Sequence, residues 1–232
     1  MDSTLVLVVD DEPHICLLVR ETLRQAGLSV RSAADGRQAL KALEEDDPAL
    51  ILLDALLAIG GVAVDASGIR LGDSFEVVVR HTDATDAHNI AIHGIGRDTL
   101  GAGVPLPDAL AAFAAWVDGA PLCAFHADFD RRVLDRAASR AGVARIGTRW
   151  LDLAPLAQAL RPDVPRNGTG TLDEWLDAYG LDCACRHNAA CDAWASAELL
   201  LVLRTAAAKQ GAGSFEALVA LGRHGRWLGP QR

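Results

Sequence analysis

Lysine is almost missing from this chain. Of the 22 basic residues only Lys41 and Lys209 are lysines, and arginine supplies the rest. No chemistry that needs a lysine between those two positions is open to it. Positive charge is short as well: 31 acidic side chains leave a net charge of −9, which argues against a broad phosphate-binding surface. Half the residues are hydrophobic, yet no window approaches the ~18 consecutive apolar residues of a membrane span. The first residues, MDSTLVLVVDDE, lack a basic stretch and do not read as a secretory signal. Five cysteines (Cys16, Cys123, Cys183, Cys185, Cys191) are an odd number at spacings that suggest no disulfide framework. They point to a reduced, cytoplasmic setting.

The length suffices for one large or two small domains with their own cores. Leu5 to Val9 is an apolar, β-prone run ending in Asp10-Asp11-Glu12. Ile15, Leu18, Val19 and Leu23 then mark one face of a helix. Leu28 to Ser32 reads as a second strand, and Ala39, Leu40 and Leu43 as the inner face of a second helix. Ala49 to Leu53 is a third apolar run, too short for a long helix, and it ends in Asp54. Two right-handed crossovers joining three parallel strands result. Ligands of open α/β sheets bind at the strand carboxyl ends, so Asp54 is a candidate site residue.

From Leu56 the pattern changes. Leu57 to Val64 and Ile69 to Arg80 read as antiparallel strands joined at Asp65-Ala-Ser-Gly68, with Gly60-Gly61 as a strand bend. Pro107 to Val117 is an amphipathic helix with Leu110, Phe113 and Trp116 inward. A strand from Ala120 to Phe125 delivers HADFD, and Asp130 opens a helix facing inward with Val133, Leu134 and Ala137. Arg149 to Leu153 leads into another helix, Leu172 to Tyr179 is a short one, and His187 to Leu203 is the last long one. A basic tail follows from Ala206, with Trp227 docking on the body. The expected fold class is α/β, with boundaries at 1–54, 55–205 and 206–232.

Residues 4–54 resemble the receiver domain of bacterial response regulators. The matching residues are Asp10 and Asp11 after strand one and Asp54 after strand three. The resemblance implies a β-α-β-α-β parallel segment, Asp54 as phosphoacceptor and a histidine kinase as partner. It also implies a phosphate-contacting lysine, which this chain lacks.

Residues 55–205 resemble the DEDDh 3′–5′ exonucleases, the group containing the proofreading epsilon subunit of bacterial DNA polymerase III. Four stretches carry this: Leu57 to Val64, the loop Ile92-His93-Gly94-Ile95, the motif ending Phe129-Asp130, and His187-x4-Asp192. The resemblance implies an RNase H-like fold, Mg²⁺ or Mn²⁺ as cofactor, and single-stranded or frayed DNA or RNA 3′ ends as substrate, with a polymerase as partner. It assigns metal binding to Asp54, Asp130 and Asp192, proton transfer to His187, and 3′-nucleotide contacts to His93, Gly94 and Ile95. Phosphodiester hydrolysis at neutral pH takes two such ions ~3.5–4 Å apart, and hard cations need carboxylate oxygens. The family's first motif is Asp-x-Glu, but Leu56 stands where its Glu belongs. Glu12, also at a strand end, can substitute if strands one and three are neighbours.

Three functions therefore stand open: a two-metal exonuclease, a phosphorelay receiver using Asp10, Asp11 and Asp54, and an inactive nucleic-acid or partner-binding module. A zinc site at Cys183-Ala-Cys185-x-His187-x3-Cys191 fits no common ligand spacing.

Overall fold

Three short apolar runs build the first part of the fold. β1 (Leu5–Val9), β2 (Ser29–Ala33) and β3 (Leu50–Leu53) lie parallel in the order β2-β1-β3. Val6 and Val8 are buried against Leu23, Leu28 and Val30. Strand one is thus the neighbour of strand three, and Val9 and Leu53 are register partners at their carboxyl ends. The computed structural model describes residues 5–9, 20–21, 23–25, 27–33, 38, 41–42, 45, 50–53, 58–80, 97–164, 170–183 and 188–225. The chain divides into two compact units, Met1–Leu56 and Leu57–Arg232.

The second unit opens with an antiparallel hairpin of β4 (Ala58–Asp65) and β5 (Gly68–Val78). The turn is closed by the Asp65 carboxylate, which accepts from the Ser67 N–H and hydroxyl. Next come α1 (Arg97–Ala102), α2 (Leu106–Val117), β6 (Leu122–Ala124), α3 (Ala127–Ala141) and β7 (Trp150–Asp152). The chain continues with α4 (Leu153–Leu160), α5 (Leu172–Tyr179), α6 (Ala189–Ala208) and α7 (Phe215–Gly225). β6 and β7 pair in parallel, with Ala124 opposite Asp152. Both units are mixed or parallel α/β structure, the class read from sequence.

The core of the second unit is helical. Trp175 is fully buried among Leu156, Leu160, Leu172, Leu199 and Leu203, and each such leucine contributes about 1.5–3 kcal/mol relative to exposure. Leu218 of α7 belongs to the same cluster, and α7 packs on α4 and β7. The stretch read as a tail from 206 therefore helps to close this core as far as α7. Trp227, expected to dock, lies outside the described residues. Among the described residues no helix is long and apolar enough to cross a membrane.

Gly60 and Gly61 lie within β4 in unbroken register, and the register shift comes later, between Val62 and Val64. Successive strand residues face opposite sides, and each missing side chain makes room for a neighbour. A Cβ on Gly60 would overlap the Ala189 carbonyl at the start of α6, and one on Gly61 would lie 2.7 Å from the Trp116 ring. Gly60→Ala therefore forces strand and helix apart. We expect a cost of about 1–3 kcal/mol, a melting temperature lower by about 3–10 °C. Gly72→Ala is the control, because nothing lies within 4 Å of its Cβ. Equal melting temperatures for the two variants would refute the close-packing account.

Candidate active site

Asp130 is the fourth residue of α3, inside its first turn, and is not the residue that opens the helix. That correction follows from the backbone: His126 takes the N-cap position in a left-handed conformation, φ 60°, ψ 43°. This conformation costs a non-glycine residue about 1–3 kcal/mol. Two hydrogen bonds hold His126 there. Its backbone N–H donates to Asp152 Oδ1 at 3.1 Å. Its Nε2 lies 3.2 Å from the Gly170 carbonyl oxygen, which can only accept, so Nε2 carries the proton.

The turn places Asp130 under opposing influences. A helix N-terminus favours a negative charge, and a backbone N–H helps the carboxylate. Enclosure of the carboxyl group and the nearby charge of Asp152 outweigh both, pushing Asp130 up from 3.8 to about 7. Part of the residue still meets solvent, but desolvation of the carboxyl is the largest cause. Among the described residues no basic group offsets it.

Asp192 is likewise the fourth residue of its helix, in the first turn of α6. Asn188 caps that helix, accepting from the Ala190 and Cys191 N–H groups. Its Nδ2 donates to Glu76 on β5, and Glu76 is the register partner of Gly60. Asn188 and Gly60 together fix where α6 begins. The helix packs on β4, β5 and β6. Cys191 is disulfide-bonded, which departs from the reduced state read from the cysteine count and removes it as a zinc ligand.

The other sequence candidates, Asp10, Asp11, Glu12, Asp54, His93, Gly94, Ile95 and His187, lie outside the described residues. So do Cys16 and Cys185. The described pairing of β1 with β3 ends at Val9 and Leu53. Asp152 was not singled out from sequence. Its signal was a carboxylate at a strand-to-helix junction, the usual mark of an N-cap, and it does cap α4 through the Ala154 N–H.

Carboxylate oxygens enclosed without a compensating base suit a hard divalent cation. Among the described residues, however, no three His, Cys, Asp or Glu groups converge to hold one. The Asp130 carboxylate fits the chemistry of such an ion, which would need further donors to complete its site.

Comparison with known proteins gives two family matches. Residues 47–200 match the family described as Exonuclease, and residues 6–71 match the response regulator receiver domain. Among solved structures, Exonuclease X in complex with 5′ overhanging duplex DNA superimposes with a TM-score of 0.54 at 19% identity. The match covers 72% of this chain and 90% of that one. Curated relatives match over shorter stretches. The DNA-binding response regulator MtrA of Mycolicibacterium smegmatis is 34% identical over 87 residues, 38% of each chain. The alkaline phosphatase synthesis transcriptional regulatory protein PhoP of Bacillus subtilis is 46% identical over 52 residues, 22% of each. The chain thus spans well under half the length of these relatives.

The raised Asp130 acid makes stability depend on pH. The folded state holds the proton more tightly than the unfolded chain, so its contribution is complete below about pH 4 and is lost as pH rises through about 7. In metal-free buffer this loss amounts to up to about 4 kcal/mol. Asp130→Asn should flatten the profile and exceed the wild type in stability at pH 7.5. Parallel denaturation profiles for the two proteins between pH 4 and 8 would refute an enclosed Asp130 acid.

Proposed function

Because this chain belongs to the exonuclease family, we propose that it hydrolyses phosphodiester bonds at nucleic-acid 3′ ends by a two-metal mechanism. The observation that carries this is the enclosed Asp130 carboxyl beside Asp152, with no basic group among the described residues to offset it. Single-stranded or frayed DNA ends are the proposed substrate, and the solved structure of similar fold was determined with duplex DNA. Mg²⁺ or Mn²⁺ ions, when bound, supply an activated nucleophile and stabilise the in-line displacement. Asp130 and Asp192, with Asp54, are proposed to hold them. Glu12 is the proposed fourth carboxylate, an assignment that needs β1 and β3 to be neighbours, as they are. His187 accepts the proton of the attacking water, while His93, Gly94 and Ile95 contact the 3′ nucleotide.

The experiment is nucleotide release from a 3′-labelled single strand with Mn²⁺. Asp192→Asn is expected to lower the rate about 100-fold or more, and Glu12→Gln about 10-fold or more. Unchanged release in Asp192→Asn overturns the mechanism. Unchanged release in Glu12→Gln alone overturns only the substitute ligand.

A second reading rests on the receiver match over residues 6–71. Asp54 would be a phosphoacceptor assisted by Asp10 and Asp11, with a histidine kinase as donor. The missing lysine weighs against a coupled switch, so no stable aspartyl phosphate is expected from a small phosphodonor with Mg²⁺. A mass gain abolished by Asp54→Ala would promote this reading over the first.

A further inference from the structure

We infer that Asp152 is a positioning residue for Asp130, joining the turn that begins α3 to the turn that begins α4 through one carboxylate oxygen. This deepens the nuclease reading and rests on it. Asp152 Oδ1 accepts from the His126 N–H at 3.1 Å and from the Ala154 N–H at 3.2 Å. The second bond is an ordinary N-cap, local to β7 and α4. The first reaches 26 residues back along the chain. It exists because β6 and β7 pair in parallel with Ala124 opposite Asp152, which brings the two strand-to-helix junctions side by side.

His126 is the residue that needs this bond. Its left-handed backbone forms the N-cap of α3, and Ala127 next to it is buried, at 2% exposure. Asp130 follows one turn later. A non-glycine residue keeps such a conformation only when its surroundings hold it. Here the holders are Asp152 on the backbone N–H and Gly170 on the ring. If Oδ1 is lost, the turn can relax, and the first turn of α3 moves with it. Groups that orient ligand carboxylates typically change metal affinity by about 10–100-fold when removed.

Three substitutions separate this role from the local cap. Asp152→Ser retains a short side chain able to cap α4 but unable to reach His126. Asp152→Ala loses both bonds. Asp152→Asn keeps an acceptor oxygen in place. The readouts are exchange of the His126 amide by NMR in metal-free protein, and Mn²⁺ affinity by calorimetry or electron paramagnetic resonance. Asp152→Ser and Asp152→Ala should both expose the His126 amide to faster exchange and weaken Mn²⁺ binding about 10-fold or more, with kcat falling and KM little changed. Asp152→Asn should restore amide protection and bring Mn²⁺ affinity to within about 3-fold of wild type. Wild-type protection and affinity in Asp152→Ser would overturn the inference. A wild-type chain that binds no Mn²⁺ would overturn the nuclease reading and the positioning role with it, whereas an unaffected Asp152→Ser in a metal-binding chain overturns this inference alone.

Discussion

Asp130 carries a carboxyl group out of water on the first turn of α3, where Asp152 already supplies a second acid. Two carboxylates in a low-dielectric setting repel strongly, and neither the helix dipole nor a backbone N–H makes up the difference. The turn that carries Asp130 is held from several sides. The parallel pairing of β6 with β7, the two-sided hold on His126 and the packing of α3 against both strands leave Asp130 little freedom. An ordinary structural acid at that place would be replaced at a gain in stability. An acid that meets a divalent cation is compensated when the ion arrives.

A second constraint fixes the first turn of α6, which carries Asp192. Helix α6 starts hard against β4, at a place where only glycine fits, and Asn188 ties the same end to Glu76. The leucine and tryptophan core beneath α4, α5, α6 and α7 then holds the helix along its length. Asp192 is thereby set by packing rather than by its own bonds alone. The amino-terminal unit follows different logic, a small parallel sheet in the order β2-β1-β3. Overlap of the two family matches over residues 47–71 puts Asp54 in both, which is why two chemistries compete for it.

β1 and β3 were legible because LVLVV and LILL are apolar runs with no helical period. Helix α5 was legible over Leu172–Tyr179 because Thr171 and Glu174 form a reciprocal cap and Gly180 ends it in a left-handed conformation. Asp130 and Asp192 were legible as a resemblance, through the spacing of their motifs. Asp152 was not, since its bond to His126 exists only after two strands pair. The left-handed turn at His126, which moves the start of α3 three residues ahead of Asp130, is also invisible in the residue types. The close packing at Gly60 was not legible because its neighbour, the start of α6, lies 129 residues on. The basic composition after 206 hid Phe215 and Leu218, which face the core.

The account turns on whether Asp130 is an enclosed acid awaiting a cation. The direct measurement is its proton equilibrium, followed by isotope-edited infrared or carboxyl carbon NMR, in metal-free buffer and then with Mg²⁺. The account predicts a carboxyl that titrates near 7 without metal and stays ionised at that pH once Mg²⁺ is added. A carboxyl already ionised at pH 5 without metal, or one that Mg²⁺ does not shift, would contradict it.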